Sequence, residues 1–267
     1  MSRLHVIPEE SPFNGVCRVA HLLAQEDGGE VVEAASLALE KIMPYETVVV
    51  HGMWLPAEWR ACRMALKEGK RLVRMTHGSL SPVYLRRQGK WKKWLVGPVE
   101  RHYLRLSAQI LVTCVDEERW VRAYEPSVAI EQVDLKRFFD FKPVSVCPQK
   151  PLKVLYLGRR HPLKGVCELE KAVKRLNGRV VLRIEDSLAG EEKERALDWC
   201  DFLCLPSLSE NFGLVVADAL EHGKMVITTD GAPAWKGQAG VVFLEGYRDA
   251  TSRKRVELLK GAFEVWA

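Results

Sequence analysis

Short runs of apolar, often β-branched residues alternate along the chain with stretches in which apolar residues recur at helical spacing. The strand-like runs are Leu4–Ile7, Thr47–His51, Arg71–Thr76, Gln109–Cys114, Lys153–Gly158, Arg179–Ile184, Phe202–Leu205 and Met225–Thr229. The amphipathic stretches between them are Glu58–Lys67, Asp116–Ala123, Lys164–Leu176, Glu191–Trp199 and Leu214–His222. Because strands alternate with helices, the pattern predicts an α/β fold with parallel sheets covered on both faces.

A proline-rich segment divides this pattern into two parts. Phe141–Leu152 holds three prolines, lacks helical spacing and runs directly into the next strand-like run. Connectors of this composition typically join domains. We therefore predict one α/β domain over residues 1–145, a second over 150–247, and a C-terminal segment 248–267 with a helix at Thr251–Val265. Ligands of such sheets bind beyond the carboxyl ends of the strands, so we expect the site in a cleft between the domains.

The composition is that of an ordinary soluble protein, with 267 residues of which 47% are hydrophobic and 28% are charged. No apolar run approaches the roughly 20 residues of a membrane-spanning helix. The first ten residues also lack the apolar core of a secretion signal, so we expect a cytoplasmic protein. The seven cysteines are scattered without metal-ligand spacing, which predicts reduced, mostly buried thiols and no zinc site.

The net charge of +5 is concentrated in one segment. Seven lysines and arginines and a single acid lie between Tyr84 and Arg105, and the rest of the chain is close to neutral. Apolar residues recur at helical spacing from Trp91 onward, so cations flank a predicted amphipathic helix. This arrangement suits an anionic membrane surface or an acidic glycolipid, and equally a surface helix whose aromatic residues belong to the core. The candidate contact residues are Arg86, Arg87, Lys90, Trp91, Lys92, Lys93 and Trp94. No nucleic-acid motif accompanies them, so nucleic acid is not an expected partner.

The segment Ser207–Glu221 carries the strongest chemical signal. A strand ends, a polar turn with Glu210 and Asn211 follows, and a helix is predicted from Leu214. The free N–H groups and positive dipole end of a helix N-terminus suit a phosphate group. Glu210 and Asp218, eight residues apart, could contact a sugar and a ribose. A capped helix with a solvated acid at each end fits the pattern equally well.

A cationic loop follows the strand-like Lys153–Gly158. Arg159, Arg160 and Lys164 lie between that strand and the next predicted helix. Cations at the carboxyl end of a parallel strand are well placed for a diphosphate, because Arg offers a bidentate fork and Lys a compact charge. From these residues alone, a solvated basic loop is the other interpretation.

Taken together, the two segments resemble the retaining glycosyltransferases of family 4. The family's "GR…KG" loop is matched by Gly158, Arg159, Lys164 and Gly165. Its "PS..E.FG" element is matched by Pro206, Ser207, Glu210, Phe212 and Gly213. Its downstream "G.PVI.T..G.P" pattern is mirrored by Gly223, Val226, Ile227, Thr229, Gly231 and Pro233. The resemblance is greatest to bacterial lipopolysaccharide-core and capsule sugar transferases. It implies the GT-B fold, in which two Rossmann-like domains with mainly parallel sheets face each other across a cleft.

The resemblance also implies roles for single residues. Arg159 and Lys164 would neutralise the diphosphate of a nucleotide-sugar donor, and Glu210 would contact hydroxyls of the transferred sugar. Asp218 takes the place of the family's ribose-binding glutamate and is one methylene shorter. Backbone amides of the polar turn would hold the distal phosphate, and the candidates are those of Asn211, Phe212, Gly213 and Leu214.

Two histidines in the N-terminal half follow strand-like runs, namely His51 and His77, each followed by glycine. The resemblance implies a histidine near the donor sugar or the reaction centre, and His77 matches that place better than His51. Each of them could instead have a structural role only. Ser11–Val16 is similar to the family's glycine-rich loop on the acceptor side, although only Gly15 matches.

The implied activity is transfer of a sugar from a UDP-sugar, GDP-sugar or related donor to a saccharide or glycolipid, with retention of configuration. The chain would act in cell-surface polysaccharide or lipopolysaccharide synthesis, on the inner face of the cell membrane. No Asp-x-Asp motif occurs, so we expect no metal and no cofactor. No G-x-G-x-x-G follows any strand, which disfavours a dinucleotide-dependent oxidoreductase.

A second possibility comes from the shortness of the chain. After Ile184 the family normally has a further strand–helix–strand unit, whereas this sequence continues almost directly to the helix before Phe202. The alternative is therefore a degenerate GT-B-like protein that binds a nucleotide-sugar or a glycan, or partners another transferase, without turnover.

Overall fold

The computed structural model describes residues 2–87, 90–144 and 150–267, without the side chains of residues 87 and 90–93. The chain divides into two compact units, Met1–Leu135 and Lys136–Ala267. The proline-rich segment predicted as a linker includes residues 145–149, which lie outside the described residues.

The first unit is built on a six-stranded sheet in the order β2-β1-β3-β4-β5-β6, and all neighbouring strands in it are parallel. Its strands are β1 (Arg3–Ile7), β2 (Glu30–Glu33), β3 (Thr47–His51), β4 (Arg71–Met75), β5 (Gln109–Val112) and β6 (Ile130–Gln132). Its helices are α1 (Gly15–Asp27), α2 (Leu39–Ile42), α3 (Pro56–Lys67), α4 (Pro82–Arg87), α5 (Lys90–Leu106) and α6 (Val115–Tyr124).

The second unit has a five-stranded parallel sheet in the order β11-β10-β9-β7-β8. Its strands are β7 (Leu152–Leu157), β8 (Val180–Glu185), β9 (Phe202–Leu205), β10 (Met225–Thr229) and β11 (Val241–Leu244). Its helices are α7 (Val166–Lys174), α8 (Gly190–Trp199), α9 (Leu214–Glu221) and α10 (Ser252–Glu264). As the sequence predicts, β8 leads directly to α8 and then to β9.

Local sequence explains where several helices begin. Asn14 caps α1, because its side-chain oxygen accepts from the backbone N–H of Val16 at 3.0 Å. Pro56 lies in the first turn of α3, where its missing N–H costs nothing. Thr251 caps α10 through a hydrogen bond from Lys254 N–H. The predicted C-terminal helix is thus confirmed over Ser252–Glu264.

The central strands of both sheets are buried, as continuous apolar strands of parallel sheets are expected to be. Burial extends to the thiols, and of the cysteines that the structure describes only Cys167 is exposed. The buried ones are Cys17, Cys62, Cys114, Cys200 and Cys204.

Candidate functional site

Three loops of the second unit meet beyond the carboxyl ends of β7, β9 and β10. These strands are neighbours in a parallel sheet, so the loops that follow them leave from the same edge. The loop after β9 is bonded to the other two. The N–H of Leu208 donates to the carbonyl of Leu163 at 2.7 Å, and the N–H of Glu210 donates to the carbonyl of Gly231 at 2.7 Å. The loop after β9 is therefore joined by backbone hydrogen bonds to the loops after β7 and β10.

Lys164 and Glu210 form an ion pair at this junction. The ammonium of Lys164 donates to Oε1 of Glu210, and the hydroxyl of Ser207 donates to the same oxygen at 2.7 Å. The Lys164 side chain is 24% exposed and that of Glu210 is 11% exposed. Two of the predicted catalytic residues are thus brought into direct contact, in a position that solvent and a ligand can still reach.

Two glycines allow the loops to approach this closely. Gly165 has a φ of +67°, and a Cβ there would lie 2.2 Å from the carbonyl oxygen of Pro206. A Cβ at Gly231 would lie 2.0 Å from the carbonyl oxygen of Ser207. Because no side chain fits at these distances, glycine is required at both positions.

The two arginines of the loop after β7 differ in their contacts. Arg160 pairs with Glu170 at 3.0 Å on the surface. The side chain of Arg159 is exposed and makes no hydrogen bond or ion pair within the part of the chain that the structure describes. Its carbonyl accepts from the hydroxyl of Tyr156 at 3.0 Å, which fixes the backbone after β7. Arg159 therefore presents an uncompensated charge on the same loop as Lys164.

The turn before α9 leaves backbone donors at the start of that helix. Gly213, with a φ of +82°, is the N-cap residue, and no side chain caps α9. The amide of Leu214 begins the first turn, while Phe212 is buried and packs its ring against Trp235 at 4.9 Å between centroids. Oδ1 of Asn211 is buried without a hydrogen-bond partner among the described residues. The predicted phosphate-binding turn thus packs against Trp235 and, among the described residues, leaves the start of α9 without a side-chain cap.

Asp218 lies farther along α9 and is 5% exposed. Lys193 of α8 reaches its Oδ2 at 3.3 Å, an ion pair that joins the two helices. Lys193 belongs to none of the motifs in the sequence. The predicted ribose contact of Asp218 would have to be made beside this lysine.

In the first unit, the two predicted histidines belong to a longer hydrogen-bonded chain. Nε2 of His5 lies 3.1 Å from Oδ2 of Asp27, and its Nδ1 lies 2.9 Å from Nε2 of His51. Nδ1 of His51 lies 2.8 Å from Nε2 of His77. Burial lowers the pKa of His77 to about 3 and that of His51 well below its ordinary value, so both rings are neutral. His5 and Asp27 belong to no motif in the sequence. Their contacts with the two predicted histidines follow from the strand order β1-β3-β4, which places His5 beside His51 and His51 beside His77.

His77 is held by its neighbours as well. Its φ of +48° is uncommon for a residue with a side chain. The buried carboxylate of Glu117 accepts from the hydroxyl of Thr76 at 2.6 Å and from the N–H of Gly78 at 2.7 Å. Its other oxygen accepts from the N–H of Thr113 at 2.8 Å. Glu117 therefore fixes the turn on both sides of His77, a role that no motif around Glu117 indicates.

Gly15 is the first residue of α1, so the loop after β1 ends one residue before it. The expected loop Ser11–Val16 is therefore too long at its C-terminal end, because Asn14 already caps the helix. The backbone of Gly15 lies at a helix N-terminus.

The basic segment is helical, with α4 and α5 covering most of it. Arg86 is exposed, and Trp94 is 78% exposed, so Trp94 is not a core residue. A cavity of about 320 Å³ adjoins it, lined by Trp54, Leu85, Trp94, Gly97, Pro98, Arg101 and Tyr124. The candidates whose side chains lie outside the described residues are Arg87, Lys90, Trp91, Lys92 and Lys93.

The described residues offer neither a metal site nor a membrane-spanning helix. No group of three or more His, Cys, Asp or Glu side chains among them could hold a metal ion. None of the helices described is both long and apolar enough to cross a membrane.

Comparison with known proteins adds a family for part of the chain. Residues 149–260 match the family described as "Glycosyl transferases group 1". This match covers the loop after β7, the turn before α9 and the loop after β10. No curated protein sequence matches the chain.

Solved structures match nearly the whole chain. HepE of Anabaena, solved with UDP and glucose, has a TM-score of 0.62 and 13% identity over 99% of this chain and 90% of its own. Sucrose-phosphate synthase of Thermosynechococcus elongatus has a TM-score of 0.64 and 14% identity, with the same coverage of 99% and 90%. The lipopolysaccharide outer core galactosyltransferase WaaB has a TM-score of 0.56 and 14% identity over 98% of this chain and 91% of its own. The predicted fold class is confirmed: the chain has two Rossmann-like units with parallel sheets, as GT-B proteins do.

Proposed function

We propose that the chain is a glycosyltransferase that moves a sugar from a nucleotide-sugar donor to a saccharide or glycolipid, with retention of configuration. One observation carries the proposal: the contact between Lys164 and Glu210, beside the uncapped start of α9. The family match over residues 149–260 supports it, because that region includes all three elements. HepE, which has also been solved with UDP-glucose, is a structural neighbour that binds a nucleotide-sugar.

The proposed chemistry is electrostatic. Departure of the nucleotide leaves negative charge on its diphosphate, and the barrier falls if fixed positive groups already point there. Arg159, Lys164 and the N–H groups at Phe212–Leu214 are the groups we assign to this task. Glu210 holds Lys164 in place and offers its carboxylate to hydroxyls of the sugar. Asp218 is assigned to the ribose and His77 to the sugar-binding side in the first unit. His51, expected from the sequence to bind substrate, is fully buried with both ring nitrogens bonded to His5 and His77, so we assign it a place behind His77 and no sugar contact.

No residue of the proposal requires a metal, so we expect transfer to proceed in the presence of a chelator. The acceptor is assigned to the first unit, with Gly15 and the basic segment as contacts. We place the activity in cell-surface polysaccharide or lipopolysaccharide synthesis, at the cytoplasmic face of the membrane.

A screen of nucleotides and nucleotide-sugars by thermal unfolding tests the proposal. A ligand at a hundredfold excess over its Kd stabilises the native state by about 2.7 kcal/mol, which raises the unfolding temperature measurably. We expect UDP, GDP or one of their sugars to do so, followed by transfer or slow hydrolysis of the donor, unchanged by EDTA. The proposal is wrong if no nucleotide shifts the transition.

A second candidate is a binding protein without turnover. The direct passage from β8 to α8 favours it, because the second sheet then has five strands in the described chain and offers fewer loops to a base. Binding of a nucleotide-sugar with neither transfer nor hydrolysis, across a panel of saccharide acceptors, would select this candidate.

A further inference from the structure

Asp27, His5, His51 and His77 form a hydrogen-bonded row, and the row begins at a carboxylate, which sets the direction of every hydrogen bond in it. An ionised carboxylate only accepts hydrogen bonds, so Nε2 of His5 must donate to Asp27. With His5 as a neutral imidazole, which has one N–H, its Nδ1 is an acceptor. Nε2 of His51 then donates to His5, and Nε2 of His77 donates to His51. Each ring is thereby fixed as the Nε2–H tautomer.

Neighbouring groups surround Asp27, His5 and His51. Nε of Arg3 lies 3.6 Å from the carboxylate oxygen that His5 contacts, so a positive charge faces it from β1. His5 and His51 are fully buried, and they cannot exchange these partners for water. The rings stack obliquely, with centroids 5.2 and 5.1 Å apart, which leaves little freedom to turn over.

The far end of the chain is open. His77 is partly exposed, and its Nδ1 has no hydrogen-bond partner within the described residues. Glu117 fixes the backbone on both sides of the ring through Thr76 and Gly78. The lone pair on Nδ1 of His77 therefore points away from the hydrogen-bonded row, in a fixed direction.

We infer that Asp27, His5 and His51 are positioning residues that hold His77 as a hydrogen-bond acceptor for a substrate hydroxyl. This inference rests on the proposed function for the identity of the partner, since sugars are rich in hydroxyl donors. A histidine without such support would alternate between two tautomers and would accept at Nδ1 for part of the time only.

Nitrogen NMR of the full-length protein labelled with ¹⁵N-histidine tests the inference without any assay of activity. In the wild type we expect Nδ1 of His77 to be unprotonated and Nε2 protonated, with scalar couplings across the His5–His51 and His51–His77 hydrogen bonds. A protonated Nδ1, equal populations of the two tautomers, or absence of both couplings overturns the inference.

Asp27→Asn is the directed variant. An asparagine amide can donate as well as accept, so the whole chain can reverse and place a proton on Nδ1 of His77. We expect this tautomer to appear in D27N. The control is Glu10→Gln, which alters a similar but exposed carboxylate–histidine pair with His21 and should leave His77 unchanged. If D27N loses stability and keeps the wild-type tautomer, Asp27 is only structural.

Enzymatic measurements separate this inference from the proposed function. With the donor found by screening, D27N should lower kcat/KM by about tenfold or more while the Kd of the free nucleotide is unchanged. An unchanged kcat/KM in a variant whose tautomer has shifted overturns the role toward substrate. If wild-type protein binds no nucleotide, the proposed function fails, and the NMR result still decides whether His77 is held as an acceptor.

Discussion

At the scale of single residues, the proposed chemistry depends on the ion pair between Lys164 and Glu210. The sequence could predict both residues, because their motifs are local and each follows a strand. It could not predict Asp27 and His5, since their importance depends on which strands are neighbours and which way a buried ring points. Local sequence encodes the ends of strands well, but the order of strands in a sheet is a property of the whole fold.

Lys164→Ala should lower the rate of transfer by about 10²–10³, the usual effect of removing one fixed group that stabilises charge in a transition state. Glu210→Gln should lower it as well, because the lysine loses its charged partner. Steady-state kinetics with the donor from the screen would measure both. Arg160→Ala is the matched control, since Arg160 is on the same loop and pairs with Glu170 on the surface. Full turnover in K164A would remove this lysine from the mechanism.

His51 and His77 predict how stability depends on pH. Because the pKa of His77 is lowered to about 3, the unfolded chain binds a proton there below about pH 6.5 that the folded chain does not. The same holds for His51. The free energy of unfolding should thus be greatest above pH 6.5 and fall on acidification, by about 1.4 kcal/mol per pH unit for each ring.

Urea unfolding between about pH 7 and pH 5 would measure this slope, in a range where few carboxylates titrate. His77→Gln should reduce the slope by about 1.4 kcal/mol per pH unit, the contribution of one proton. His21→Gln, which alters an exposed histidine, should leave the slope unchanged. A flat profile over this range would contradict neutral rings in the folded protein.

At the scale of secondary structure, the sequence predicts central elements better than edges. β3, β9 and β10 have the predicted bounds, whereas β2, β6 and β11 escaped prediction. All three lie at an edge of a sheet, where one side has no neighbouring strand. Edge strands are short and half-exposed, so their apolar pattern is weak. Helix α1 also escaped, since its start at Gly15 lies in the segment expected to be a loop.

The close contact of loops at Gly165 can be tested by one methyl group. Gly165→Ala should destabilise the protein by at least about 2 kcal/mol more than a positive φ alone would cost, because the new Cβ meets a backbone carbonyl. Gly178→Ala is the control: its φ is +82° and nothing lies within 4 Å of the added carbon. Denaturant unfolding gives both values. Equal losses would mean that the loops can separate at no cost.

At the scale of the whole molecule, the two units differ in which known proteins they match. The family match falls within the second unit, whereas the structural matches extend over both. The proposed donor chemistry therefore rests on motifs, and the proposed acceptor side rests on surface features of the first unit. Trp94 shows why: the helical spacing around it fits a core residue as well as a surface residue, and only its exposure shows that it lies on the surface.

Association with anionic vesicles should depend on the basic segment between Tyr84 and Arg105. Lys92 and Lys93 changed together to Glu should weaken flotation with anionic liposomes by at least about tenfold, since each cation near such a surface contributes about 1 kcal/mol. Trp94→Ala should weaken it further. Lys171 and Lys174 changed to Glu carry the same charge change on exposed positions of α7 and should have no effect. Equal loss in both double variants would indicate a response to net charge alone.

Among the described cysteines, one exposed thiol can carry a fluorescent label. Burial raises the pKa of Cys62 and Cys114 to about 11, so at neutral pH these buried thiols stay protonated and out of reach of a maleimide. Cys167 is exposed in the first turn of α7, three positions after Lys164. With Cys147 replaced by serine, a fluorophore would attach at that one position among the cysteines described. Its emission would then report nucleotide arrival at the neighbouring loop in real time.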